Sequence, residues 1–182
     1  MANNSSTLVV SQTAGATTFR LRDGRLVRLR PVVAEDAPRL AQLCEGLSAE
    51  SSRLRFFREG RRLTPQEALG LAQIDHHHNE AFVALDGERV VALASLHRIG
   101  DDPQAELTLL VDDAYQGGGL GRHLLRMLID AARARGYRIL LAEMLPDNAR
   151  MLGLLDSAGV LAVADTYFGV ERVHLLLDSD AR

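Results

Sequence analysis

Residues 115–125 read Tyr-Gln-Gly-Gly-Gly-Leu-Gly-Arg-His-Leu-Leu and place four glycines in five positions. Glycine weakens helix and strand interiors, so regular structure must end before this cluster and restart after it. Before it, Ala105–Val111 alternates, with Leu107, Leu109 and Val111 on one side and Glu106, Thr108 and Leu110 on the other, which predicts a strand. After it, Leu120, Leu124, Leu128 and Ala131 share one face of a helix predicted over 119–135, stopped by Gly136. Ile139–Met144 then reads as another strand. Strand, loop, helix and strand form a crossover unit and imply at least one parallel pairing. A linker reading suits this position poorly, and a tight turn would need fewer glycines. Exposed amides at a helix N-terminus, open to an anion, account for the cluster best.

The rest of the chain predicts a mixed α and β domain over 18–182, behind a mobile Ser/Thr/Asn-rich tail over 1–17. Leu26–Arg30 alternates and ends at Pro31, and Ala37, Leu40, Leu43, Cys44 and Leu47 make a helical stripe over 35–47. Ser48–Phe57 reads as a short helix, and Thr64-Pro65-Gln66-Glu67 is a capping box opening a helix to Ile74. Ala81–Leu85 and Val90–Leu96 flank the hairpin signal Asp86-Gly87, Asn148–Ser157 is a helix, and 160–164 and 170–177 are final strands. The expected core is a mostly antiparallel sheet of six to seven strands, with one parallel unit and about four helices.

Composition excludes several functions. A net charge of −3 argues against general nucleic-acid binding, and no apolar run is long enough to span a membrane. A single cysteine, Cys44, rules out an internal disulfide framework and agrees with a cytoplasmic setting. All 21 basic residues are arginine, so neither a phosphate loop of the Walker type nor a lysine Schiff base is available. Residues 20–62 hold eleven Arg against six Asp and Glu, an excess that suits either an anionic ligand or a solvated basic face.

The dinucleotide fingerprint needs glycine where Arg122 stands, and it opens a repeated parallel sheet rather than following a meander. Gln116-x-x-Gly119-x-Gly121 instead resembles the pyrophosphate loop of the GNAT superfamily of acyl-CoA-dependent N-acyltransferases. The order of elements from 26 to 177 matches that family. RDGRLVRLRPVVAEDAPRL, SSRLRFF, AELTLLVDDAYQGGGLGRHLL and EMLPDNARML are similar to the acetyltransferase domain of bacterial Pat-type protein-lysine acetyltransferases. The resemblance implies a GNAT-type fold and acetyl-CoA as cosubstrate. It implies that the loop Gln116, Gly117, Gly118, Gly119, Leu120, Gly121 and Arg122 holds the coenzyme A pyrophosphate. The backbone of Leu109, Leu110 and Val111 would pair with the pantetheine arm. Asn148 matches a position near that arm, and an N-cap of the following helix is its structural alternative.

Amine acylation needs a neutral nitrogen, hence a base. Glu106 is the one carboxylate within its strand and matches the general base of Pat-like enzymes; an exposed charge on a sheet edge is the plain alternative. The tyrosine that many family members carry seven residues after the asparagine is Leu155 here, so no general acid is assigned. His76-His77-His78 lacks metal-ligand spacing and no metal is expected; His97 and His123 are polar residues of open role. The function expected is acetyl transfer from acetyl-CoA to a protein lysine. A small-molecule amine as acceptor and a non-catalytic acyl-CoA sensor are the alternatives, and the oligomeric state is left open.

Overall fold

The computed structural model describes residues 16–177. One sheet of eight strands forms the centre, in the spatial order β1-β2-β3-β4-β5-β6-β8-β7. These are β1 (Thr17–Arg20), β2 (Leu26–Pro31), β3 (Glu80–Asp86), β4 (Arg89–Arg98), β5 (Gln104–Val111), β6 (Ile139–Met144), β7 (Leu161–Tyr167) and β8 (Val170–Leu176). Every neighbouring pair is antiparallel except β5 and β6. Five α-helices flank the sheet: α1 (Ala37–Glu45), α2 (Ala49–Phe56), α3 (Pro65–Ala72), α4 (Leu120–Ala134) and α5 (Ala149–Asp156).

The expected elements are present, and the strand count rises to eight because β1 was not anticipated. Thr17–Arg20 has no apolar alternation and borders a Ser/Thr-rich stretch; pairing with β2 makes it a strand. It starts inside the segment 1–17 assigned to a tail, of which residues 1–15 lie outside the described part. The count of about four helices becomes five, one for each helical segment read from the sequence. The β3–β4 turn is Gly87-Glu88, one residue later than expected, with Gly87 at φ +59°.

Two cores lie on opposite faces of the sheet. On one, α4 buries Leu120, Leu124, Leu125, Leu128, Ile129 and Ala132 against β4, β5, β6 and β8. Burial of each leucine contributes about 2 kcal/mol. On the other, Leu40, Leu43 and Cys44 of α1 and Ala68 and Ala72 of α3 cover Val83, Leu85, Val90, Leu93 and Leu110. β4 is therefore buried from Val90 to Leu96, whereas β7 at the far edge is exposed along its whole length. Among the described residues no helix is long and apolar enough to cross a membrane.

Candidate functional site

The parallel pairing of β5 and β6 lasts only three residue pairs, from Gln104↔Ile139 to Glu106↔Leu141. Beyond Glu106 the strands part, and Leu107–Val111 are paired on the β4 side alone. The fork opens into a cleft of about 840 Å³. Its walls are β5 from Glu106 to Val111, the β6 end at Glu143 and Met144, and residues of α2, α5 and the glycine loop.

The loop is built for close approach. Gly117 (φ +73°) and Gly119 (φ +92°) are in the left-handed region that favours glycine. Gly118 has a different reason: a Cβ there would stand 2.9 Å from Leu21 Cδ2, and its carbonyl accepts from Arg22 N at 3.2 Å. Gly119 caps α4 without a side-chain hydrogen bond. Among the described residues, no carbonyl or side chain accepts from the amides of Gly117 to Arg122. Six amides thus crowd the positive end of a 15-residue helix. Gly117, Gly119, Gly121 and Arg122 line the cleft; the Leu120 side chain is buried in the core and contributes only its backbone. The arrangement fits a pyrophosphate, because it offers several donors, no Cβ and a helix dipole.

Gln116 is a junction. Its Nε2 donates to Val111 O (3.0 Å) and Ser51 Oγ (3.3 Å), and its Oε1 accepts from Arg150 Nη1 (2.8 Å). Asp113 accepts from Ser48 N, Ser48 Oγ and Ser51 Oγ at 2.6–2.9 Å, fixing the start of α2 beside the loop. Burial pushes the Asp113 carboxyl up, but these three hydrogen bonds win and its pKa falls. Arg53 of α2 reaches Asp147 before α5 at 2.7 Å. Asn148 is the N-cap of α5, its Oδ1 accepting from Met151 N at 3.1 Å, and it also lines the cleft. Capping uses the oxygen and leaves the amide NH2 for a ligand.

Glu106 is exposed on the cleft wall, at the last rung before the fork. Across β4 it faces His97, whose Nε2 lies 3.2 Å from the buried Ser95 Oγ. Burial holds His97 below the ordinary imidazole pKa, against the pull of Glu106. Arg55 Nη2 donates to Thr108 Oγ1 at 3.2 Å, on the same face of β5 as Glu106. Of the three carboxylates lining the cleft, Asp113 is held by serines and Glu143 by Arg172 (2.8 Å). Glu106 alone has no hydrogen bond or ion pair among the described residues.

Other expected groups lie elsewhere. His76 is tied to Glu80 (2.6 Å) and Val32 O (3.1 Å), Arg135 binds Glu80, and Asp75 Oδ1 accepts from the amides of His77, His78 and Asn79. The histidine run is thus part of a loop fastening, and among the described residues no His, Cys, Asp and Glu group is gathered for a metal. His123 stacks on Phe19 at 4.6 Å and is kept below its ordinary pKa, mostly by burial. Cys44 is buried in the α1 core, which pushes its thiol up to about 11. Leu155 is buried, so no hydroxyl occupies the position of the family tyrosine. Sequence reading missed Arg22, Ser51, Arg55, Asp113 and Arg150 on the cleft wall; the arginine excess over 20–62 was a signal for Arg22 and Arg55 alone.

Compared with known proteins, the profile of the Acetyltransferase (GNAT) family matches residues 47–160. An acetyltransferase of Pseudomonas aeruginosa is 34% identical over 160 residues, 86% of each chain. The acetyltransferase Pat of Mycolicibacterium smegmatis is 30% identical over 149 residues, 80% of this chain but only 44% of that longer protein. The crystal structure of the GNAT domain of S. lividans PAT superposes with a TM-score of 0.81 at 32% identity, covering 91% of this chain and 99% of that one. A profile match over more than half of the length, together with these relatives, places the chain in the acetyltransferase (GNAT) family.

Proposed function

We propose that this GNAT acetyltransferase moves an acetyl group from acetyl-CoA to a lysine side chain of a protein, with Glu106 as general base. One observation carries the reading: among the described residues Glu106 is the one cleft-lining carboxylate without a hydrogen bond or ion pair, at the point where β5 and β6 separate. The amides of Gly117–Arg122 would hold the pyrophosphate. The one-sided backbone of Leu109–Val111 and the Asn148 amide would hold the pantetheine arm. When bound, acetyl-CoA supplies an activated thioester carbonyl and a thiolate leaving group.

The residues of the chain do the rest. An acceptor lysine arrives as an ammonium, its ordinary pKa being about 10.4. Glu106 takes its proton, directly or through one water, so that a neutral nitrogen forms the amide bond while the carbon–sulfur bond breaks. With Leu155 at the family tyrosine position, the second proton, shed by the nitrogen as the amide forms, passes through water to the departing thiolate. Similarity to the two Pat proteins supports a protein acceptor. So does the charge of the cleft: Arg22, Arg55, Arg122 and Arg150 line it, a poor setting for a polyamine.

The test compares wild type with Glu106→Gln on a panel of lysine peptides and an amine library, alongside acetyl-CoA binding by calorimetry. Loss of transfer by about 10²–10³-fold with binding retained is expected. Turnover of small amines but of no peptide would overturn the protein acceptor, and binding without any turnover would make the chain an acyl-CoA sensor.

A further inference from the structure

Arg55 differs from the ion-paired arginines of the 20–62 segment. Arg53 pairs with Asp147, Arg61 with Glu67, and Arg30 and Arg39 with Asp36. Arg55 is half-buried and lines the cleft, yet among the described residues no carboxylate lies within ion-pair distance of it. Its contacts are one neutral hydrogen bond to Thr108 Oγ1 (3.2 Å) and the Phe56 ring, 5.2 Å from the guanidinium carbon, with the Glu106 charge acting on it from beyond ion-pair distance. A partly desolvated guanidinium has five donors in a planar fork, and one hydroxyl leaves most of them unused. Such a group favours an anion, and a carboxylate fits the fork with two parallel hydrogen bonds.

The position says what brings the anion. Thr108, which anchors Arg55, and Glu106 are two residues apart on one face of β5, so their side chains stand about 7 Å apart. The face therefore carries Glu106 at one position and, at the next position on the same side, the Arg55 guanidinium anchored on Thr108. An extended acceptor with lysine at one position and Asp or Glu two positions away carries the complementary pair at the same spacing. His97, which faces Glu106 across the β4–β5 pairing, has its pKa lowered by burial.

Resting on the reading that this cleft acylates amines, we infer that Arg55 selects acceptors in which a carboxylate accompanies the reacting amine, an acidic residue flanking the target lysine. Arg55 binds the carboxylate while Glu106 takes the ammonium. The arginine excess over 20–62 thus has a local use in the cleft through Arg55.

The experiment measures kcat/KM on two matched series: lysine peptides with Asp or Asn two residues from the lysine, and free amino acids beside their C-terminal amides. Wild type, Arg55→Gln and Arg55→Lys are compared, with acetyl-CoA binding measured on each. Wild type should prefer the carboxylate partner by about tenfold in at least one series. Arg55→Gln should abolish the ratio, and Arg55→Lys should keep part of it. Preference confined to the free amino acids would move the acceptor from protein to small molecule while leaving the role of Arg55 in place. Equal rates for acid and amide in both series, a ratio that survives in Arg55→Gln, or no turnover of either series would overturn the inference.

Discussion

At the scale of single residues, environment assigns roles that residue type leaves open. Asn148 could be read as a cap or a ligand, and the structure shows the cap through its oxygen. Asn148→Asp keeps that oxygen but places a carboxylate in the cleft. We expect it to retain thermal stability and raise the KM for acetyl-CoA, whereas Asn148→Ala should lower stability by about 1 kcal/mol as well. Differential scanning fluorimetry and initial rates separate the two. Cys44 gives a second outcome. A thiol raised to about 11 stays protonated at pH 8, so native protein should resist iodoacetamide and react only after denaturation, as mass spectrometry would show. The core position of Cys44 was legible from spacing, whereas Glu106 was singled out through the family resemblance, with an exposed charge on a sheet edge as its alternative. Arg55 was legible in neither way: its value lies in lacking a partner, a property of three-dimensional surroundings.

At the scale of elements, the glycine loop combines two separate constraints. Gly119→Ala would force a left-handed φ of +92° on a residue with a Cβ, costing about 1 kcal/mol and crowding the amides. Gly118→Ala would instead collide with Leu21, 2.9 Å from the added carbon. The first should weaken acetyl-CoA binding more than it lowers Tm, and the second should do the reverse, with calorimetry and thermal melts as the readouts. The sequence pattern identified the loop but not this division of labour, because the clash comes from Leu21, 97 residues away in the chain. α2 presents a similar lesson. Its cap Ser48 is readable, while the hold of Asp113 on Ser48 and Ser51 is long-range. Asp113→Ala should free α2 and raise the KM for acetyl-CoA several-fold with little change in the base.

At the scale of the whole molecule, a buried ion cluster fastens β2 to α1. Asp36 is fully buried and meets Arg30 at 2.6 and 2.7 Å, Arg39 at 3.4 Å and the Val33 amide at 3.0 Å. Burial pushes its pKa up, but the arginines and the amide more than offset this, and the net shift is downward. A carboxyl depressed in the folded state stabilises fully above its unfolded pKa of about 3.9, and that stability is lost as pH falls through the lower folded value. Tm should therefore hold from pH 8 to about 5 and drop below about 4. Asp36→Asn takes the carboxylate from Arg30, while Arg39 keeps Glu88 at 2.7 Å, and should cost about 3 kcal/mol at neutral pH, with a flatter acid limb. Most of the sheet was foreseeable from alternation. β1 was not, since a short polar edge strand owes its form to its neighbour.

The fork between β5 and β6 has one more consequence, for exchange with solvent. Leu107–Val111 lie in the middle of the sheet yet have a strand neighbour on a single side, as do Ala142–Met144 across the fork. Deuterium should enter the amides there that face the fork far sooner than those of β4. Acetyl-CoA should slow that uptake, acting for those few residues as the ninth strand of the sheet.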